Sequence, residues 1–140
     1  MADHDPECIF CKIVAGELPS LRVDEDERTV SFLDVNPATP GHTVIVPRRH
    51  TADLLSISAD DLAACNVAAQ RVAQQAIDRL GAVGVNLLNN CGSGAWQTVF
   101  HFHLHVIPRY ADDPLRLPWI PAPGDRDAIA ATHATLTAGA

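Results

Sequence analysis

From Ser58 to Leu80 apolar residues return every three or four positions, at Leu62, Cys65, Ala69, Val72, Ala73, Ile77 and Leu80. That period predicts an amphipathic helix with its stripe turned to the core. Ser58 can cap it, Asp61 stands in the capping-box position, Asp60 joins it in the first turn, and Gly81 can end it in the left-handed conformation. A shorter helix is expected over Ile9–Val14. Strands are expected over Thr29–Leu33, Thr43–Val46, Gly84–Asn89 and His101–Ile107, the second of them apolar, β-branched and closed by Pro47. One long helix among strands with hairpin-like spacings predicts an α+β layer with a mostly antiparallel sheet. Beyond Asp112, Pro114, Pro118, Pro121 and Pro123 mark an extended arm, and the alanine-rich tail from Ala128 reads as a weak helix or a frayed end.

The chain has 140 residues, 47% hydrophobic and 19% charged, which suits one domain over residues 1–140 with a real core. Ten basic against 17 acidic residues leave a net charge of −7, which disfavours nucleic acid or an anionic membrane as partner. No stretch approaches the roughly 18 apolar residues of a membrane span. The start, MADHDP, lacks a secretory apolar region, so a cytoplasmic setting is expected. In a reducing compartment Cys8, Cys11, Cys65 and Cys91 read as metal ligands or plain thiols rather than disulfides. Seven histidines are the unusual part of the composition.

Three of them alternate with apolar residues. In a strand, His101, His103 and His105 would share one face about 6.5–7 Å apart, with Phe102, Leu104 and Val106 on the other. A solvent-facing strand can carry a polar residue at every second position, but three imidazoles in register point to chemistry. Metal ligation and a histidine nucleophile with proton-handling neighbours both suit the row. Directly upstream, Asn90, Gly92, Ser93, Gly94, Gln97 and Thr98 make a small, polar loop whose amides and side chains can approach a phosphate. Cys8-Ile9-Phe10-Cys11 has the spacing of half a structural zinc site or of a redox pair, and the βαβ unit that usually carries the latter is missing from the expected elements.

The run Gln97-Thr98-Val99-Phe100-His101-Phe102-His103-Leu104-His105-Val106-Ile107 resembles the signature of the histidine triad (HIT) superfamily of nucleotide hydrolases and transferases. Asp34 to His50, DVNPATPGHTVIVPRRH, and Ile9-Phe10-Cys11-Lys12-Ile13 are similar to its upstream blocks, so the resemblance covers about residues 8–110 and is nearest to the Hint-type branch. The resemblance implies that His103 attacks an α-phosphate to form a nucleotidyl-histidine, with no catalytic metal. It implies that His105, Gln97, Thr98 and Asn90 stabilise the phosphate, that His42 packs against the triad, and that Asp34 accepts the ribose hydroxyls. Ile9, Phe10 and Phe32, with Ile13 and Val35, would hold the base; packing in the core is the rival reading for all five and suits Ile13 and Val35 equally. Zinc-containing relatives imply a structural Zn²⁺ on Cys8, Cys11, His50 and His101, which removes His101 as a proton donor. The family resemblance also implies a homodimer through the long helix and a continuous sheet, with Trp119 on the arm reaching the partner's site or simply packing. Cys65 falls on the helix stripe, and Cys91 takes a position often acidic in Hint-type members.

The expected activity is cleavage of a purine nucleoside phosphoramidate or similar conjugate. A dinucleoside polyphosphate hydrolase, a nucleotide-binding module with vestigial activity, and a metalloenzyme of the H-x-H kind are the alternatives.

Overall fold

The computed structural model describes residues 3–139. Along the chain run α1 (Ile9–Val14), β1 (Arg22–Glu25), β2 (Thr29–Leu33), β3 (Thr43–Pro47), α2 (Ala59–Leu80), β4 (Gly84–Leu88), β5 (Leu104–Arg109) and α3 (Arg126–Thr137), with a 3₁₀ turn at Ser93–Ala95. The strands form one antiparallel sheet in the order β1-β2-β3-β5-β4. The α+β class and antiparallel sheet are therefore as expected.

Register divides the sheet into two unlike faces. Ser31, Ile45 and Leu104 lie opposite one another, as do Thr43 and Val106, and this side packs under α2 with Cys65, Ala68, Ala69 and Val72. Val30 opposite Val46, and Phe32, Val44 and His105 in one row, face the other way, where Ile13 of α1 covers only the first part. The remainder of that face is left for a site.

Ser58 caps α2 through Asp61 N–H at 3.1 Å, and Gly81 ends it with φ 71°. The reciprocal half of the capping box does not form, because the buried Asp61 carboxylate turns to Arg28 at 2.9 Å. The buried stripe also differs from the expected one. Ala68 and Ala76 lie against the sheet, whereas Ile77 and Leu80 are about half exposed. Small residues let the helix sit close, and Leu80 instead covers Gly41, whose φ of +87° and lack of a side chain admit it.

β1 departs from the expected pattern, and the tail takes the helical of its two expected forms. β1 carries one apolar residue among charges, as suits an edge strand, and Arg71 of α2 staples it by ion pairs to Asp24 and Asp26 at 2.8 Å each. One long and one short helix are joined by a third, because Asp125 caps α3 by accepting from Ala128 N–H at 2.9 Å. No residue of α3 is buried. No helix among the described residues is long and apolar enough to cross a membrane.

Candidate active site

The histidine segment is only partly a strand. β5 begins at Leu104, not at His101: its ladder with β3 stops at Ile45 opposite Leu104 and its ladder with β4 at Leu88 opposite His105, so residues 101–103 form no ladder pairs even though β3 continues to Pro47. Their backbone groups pair otherwise. Phe102 N–H donates to Thr51 O at 2.6 Å, and Asn89 Nδ2 donates to His103 O at 2.9 Å. His101 O is met at 2.8 Å by the His103 ring through Nδ1. The alternation itself persists: Phe102, Leu104 and Val106 enter the α2 core. Asn89 is a contributor that sequence reasoning passed over in favour of its neighbour Asn90.

Hydrogen bonding assigns a tautomer to each ring. A carbonyl only accepts, so His103 Nδ1 carries the proton and Nε2 keeps its lone pair. His101 is fixed in the opposite sense, with Nε2–H donating to Pro47 O at 2.8 Å and Nδ1 bare. His42 Nδ1 accepts from Ala38 N–H at 2.9 Å, so its Nε2–H donates to His105 Nδ1 at 2.9 Å. His105 in turn keeps its proton on Nε2. Asp34, His42 and His105 bring three potential ligand atoms within 4.8 Å, but the proton on His42 Nε2 makes this a hydrogen-bond chain and not a metal site. His103 and His105 pack edge to face with ring centroids 5.1 Å apart, so a ring with a bare Nε2 neighbours a ring with an Nε2–H.

Burial favours these neutral forms. It lowers the pKa of His42 and His103, and together with the neighbouring His103 and His42 it takes His105 down to about 4. His105 thus titrates below its ordinary 6.5, and an unfolded chain would take up that proton first. Stability is held above pH 6.5 and declines as pH falls toward 4, by about 1.4 kcal/mol per pH unit for one such group. Urea midpoints measured from pH 7.5 down to 4.5 should fall, and fall less steeply in His105→Asn. Equal slopes in the two proteins would contradict a neutral, buried His105.

His103 and His105 line a cleft of about 780 Å³ on the open face of the sheet. At one end are Ile9, Phe10, Phe32 and Asp34. Phe10 sets its ring edge to face against Phe32 at 5.6 Å and His103 at 5.0 Å. Asp34 Oδ1 accepts from Asn36 N–H at 2.8 Å, and Oδ2 lies 3.5 Å from His42 Nε2. Ile13 lines the cleft but is buried within the core, while Val35 is 90% exposed at its rim. Asn90 and Thr98 line the cleft with His103 and His105.

Gln97 behaves differently from the expected phosphate donor. It is buried, its Nε2 donates to Ala52 O at 2.8 Å and Val99 O at 3.1 Å, and its Oε1 accepts from Gly92 N–H at 2.7 Å. Both ends of the amide brace the loop, and neither N–H is left for a ligand. Trp96 beside it is a cleft residue that the sequence reading missed, and it adopts φ 71°. An exposed tryptophan next to the signature was the available signal.

At the start of β5 four donors converge. Cys11 Sγ lies 3.3 Å from His50 Nδ1 and 3.5 Å from His101 Nδ1, and Cys8 Sγ lies 3.5 Å from His101 Nδ1. Tetrahedral Zn²⁺, with bonds of about 2.3 Å to sulfur and about 2.0 Å to nitrogen, separates such ligands by about 3.5 Å. The donor set therefore fits zinc. Pro47 O fixes the His101 tautomer with Nδ1 free to ligate, and Asp5 N–H and Cys11 N–H point at the two sulfurs. Burial pushes the Cys11 thiol up to about 11, so its thiolate needs a cation beside it. Cys65 is a core thiol, pushed by burial up to about 12, and Cys91 is half-buried outside the cleft lining.

The HIT domain profile matches residues 15–112. Protein hit of Bacillus subtilis is 44% identical over 104 residues, 74% of this chain and 71% of that protein. A crystal structure from Streptococcus mutans superposes with a TM-score of 0.90 at 34% identity, covering 97% of this chain and 87% of the other. A zinc-bound histidine triad family protein from Mycobacterium smegmatis superposes with a TM-score of 0.76 at 39% identity, covering 96% and 98%.

Proposed function

The chain belongs to the HIT domain family, and on that premise we propose that it hydrolyses a nucleoside phosphoramidate or related nucleotidyl conjugate at the α-phosphate, through a nucleotidyl-histidine. The observation that carries this reading is the bare Nε2 of His103, imposed by the bond from Nδ1 to His101 O, in a cleft of nucleotide size. Members of this family are usually nucleotide hydrolases or transferases, and they bind nucleotides.

In the reading, the base lies among Ile9, Phe10 and Phe32, and Asp34 accepts the ribose hydroxyls. His103 Nε2 forms a bond to phosphorus as the bond to the leaving nitrogen or oxygen breaks, the two in line. His105 Nε2–H donates to a phosphoryl oxygen, and the chain Ala38 N–H, His42, His105 keeps that proton in place. Asn90 and Thr98 supply neutral donors, and Gln97 positions their loop. Water then attacks phosphorus, the bond to His103 breaks, and the nucleoside monophosphate leaves. His101 Nε2–H is committed to Pro47 O, so the leaving group takes its proton from His105 or a water. No step needs a catalytic metal. Zinc, when bound to Cys8, Cys11, His50 and His101, would cross-link the N-terminal segment to the strand entry.

The reading extends to a single domain with its core over 8–110, a Hint-type member working in the cytoplasm, and a homodimer. Edge strand β4 has Leu87 and Leu88 half exposed and adjoins Val67 of α2, which supports pairing of β4 and α2 across a two-fold axis. The net charge of −7 disfavours nucleic acid and membrane partners, so capture of an anionic substrate falls to local dipoles.

The purified protein should release the monophosphate from adenosine 5′-phosphoramidate with a kcat/KM at least ten times that for diadenosine tetraphosphate. The reverse order would favour the dinucleoside polyphosphate hydrolase, and turnover of neither would sink the hydrolase reading.

A further inference from the structure

Trp96 is the one non-glycine residue with positive φ among the described residues. Its left-handed backbone, φ 71° and ψ 18°, is a conformation that glycine adopts freely and an indole-bearing residue rarely does. The surroundings over-determine it. Trp96 N–H donates to Ser93 O at 3.1 Å, Gln97 N–H to Gly92 O at 3.1 Å, and the buried Gln97 side chain ties Gly92 to Ala52 and Val99. Strain held in place in this way marks a side chain whose direction matters. The indole gains nothing from the core, since Trp96 is 73% exposed, yet it lines the cleft with Thr98 and His103.

Its place in the fold indicates which part of a ligand it meets. Asp34, Phe32 and Phe10 lie on the β2 and α1 side of the cleft, whereas Trp96 belongs to the loop that leaves β4, at the opposite edge of the sheet. In-line displacement needs the leaving group turned away from the attacking nitrogen, and the nucleoside already fills the β2 side. We propose that Trp96 is a stacking platform for a planar aromatic group on the leaving side of the scissile phosphorus bond, so that the preferred conjugates carry an aromatic amine or a second nucleobase there. This rests on the hydrolase reading for its orientation. Aromatic platforms of this kind strengthen binding of a flat ring by about ten-fold or more.

The test uses the full chain carrying His103→Ala, which stops turnover, and titration calorimetry with adenosine 5′-phosphoramidate, its N-phenyl derivative and diadenosine tetraphosphate. The N-phenyl compound, the tetraphosphate or both should bind about ten-fold tighter than the parent. That ratio should collapse toward one with Trp96→Gly added and persist with Trp96→Phe. A preference for the N-phenyl compound alone assigns an aromatic amine, and for the tetraphosphate alone a second nucleobase. A ratio near one from the start, or one that Trp96→Gly leaves unchanged because all ligands weaken together, overturns the proposal. Glycine suits the backbone at this position, so loss of folding does not confuse the result. Turnover by the wild type is measured separately, so an intact binding ratio without cleavage would defeat the hydrolase reading and leave the platform standing.

Discussion

With His103 replaced by alanine, turnover of adenosine 5′-phosphoramidate should fall by about ten-thousand-fold or more, the scale seen when a covalent nucleophile is removed. The neighbouring rings cannot substitute. His101 has its Nε2–H on Pro47 O and its Nδ1 aimed at two sulfurs, and His42 and His105 spend a nitrogen each on one another. His103 is also 7% exposed and packed against Phe10, so its truncation opens a gap beneath the base slot. Affinity for the monophosphate should therefore weaken by only a few-fold, while kcat takes nearly the whole loss. Rapid acid-free quenching of the wild type should trap the nucleotide on His103, and mass spectrometry of the variant should find none. A variant that keeps even a hundredth of wild-type turnover would remove His103 from the covalent role.

The second large effect concerns Cys11. It is fully buried and its sulfur touches both His50 and His101, so Cys11→Ser should abolish zinc retention and leave hard, poorly matched ligands in a buried place. The four donors come from segments distant in sequence, α1 with its cap, the turn after β3 and the entry to β5, which a bound zinc would cross-link. Structural zinc contributes outright to folding, and here a loss of about 3–5 kcal/mol is expected, or a fall in Tm of about 10 °C or more. Zinc content by plasma emission and melting by circular dichroism check both parts. A stable variant with one zinc per chain would show that the other three donors suffice. A wild type purified without zinc and unmoved by added zinc would dismiss the site. Under the proposed mechanism, which routes no step through the metal, chelator should inactivate only as fast as the chain unfolds.

What could be read before the structure follows a physical division. α2 was legible because its caps and period are local, β3 because a buried strand leaves a continuous apolar run, and β2 because Val30, Phe32 and Leu33 are strand formers even with the buried Thr29 and Ser31 between them. β1 was not, since an edge strand with a charged sequence carries no alternation to detect. The histidine row was legible as alternation, but an alternating sequence does not say where its ladder to a neighbouring strand stops. Gln97 and Trp96 show the same limit. A polar residue beside a signature reads as a ligand donor until its amide is found fully engaged, and nothing in sequence announces a left-handed tryptophan. Proton positions on the four rings depend on Ala38 N–H, Pro47 O and His101 O, main-chain groups that are the same whatever the residue type.

The acceptor that orients His103 therefore belongs to no side chain. In a catalytic triad the orienting carboxylate is a residue that one substitution can delete. Here no point change removes the carbonyl of residue 101, so the orientation of the proposed nucleophile is sheltered from substitution as long as the bend at 101–103 survives. Inheritance of this orientation rests on the path of the chain rather than on the identity of any one side chain.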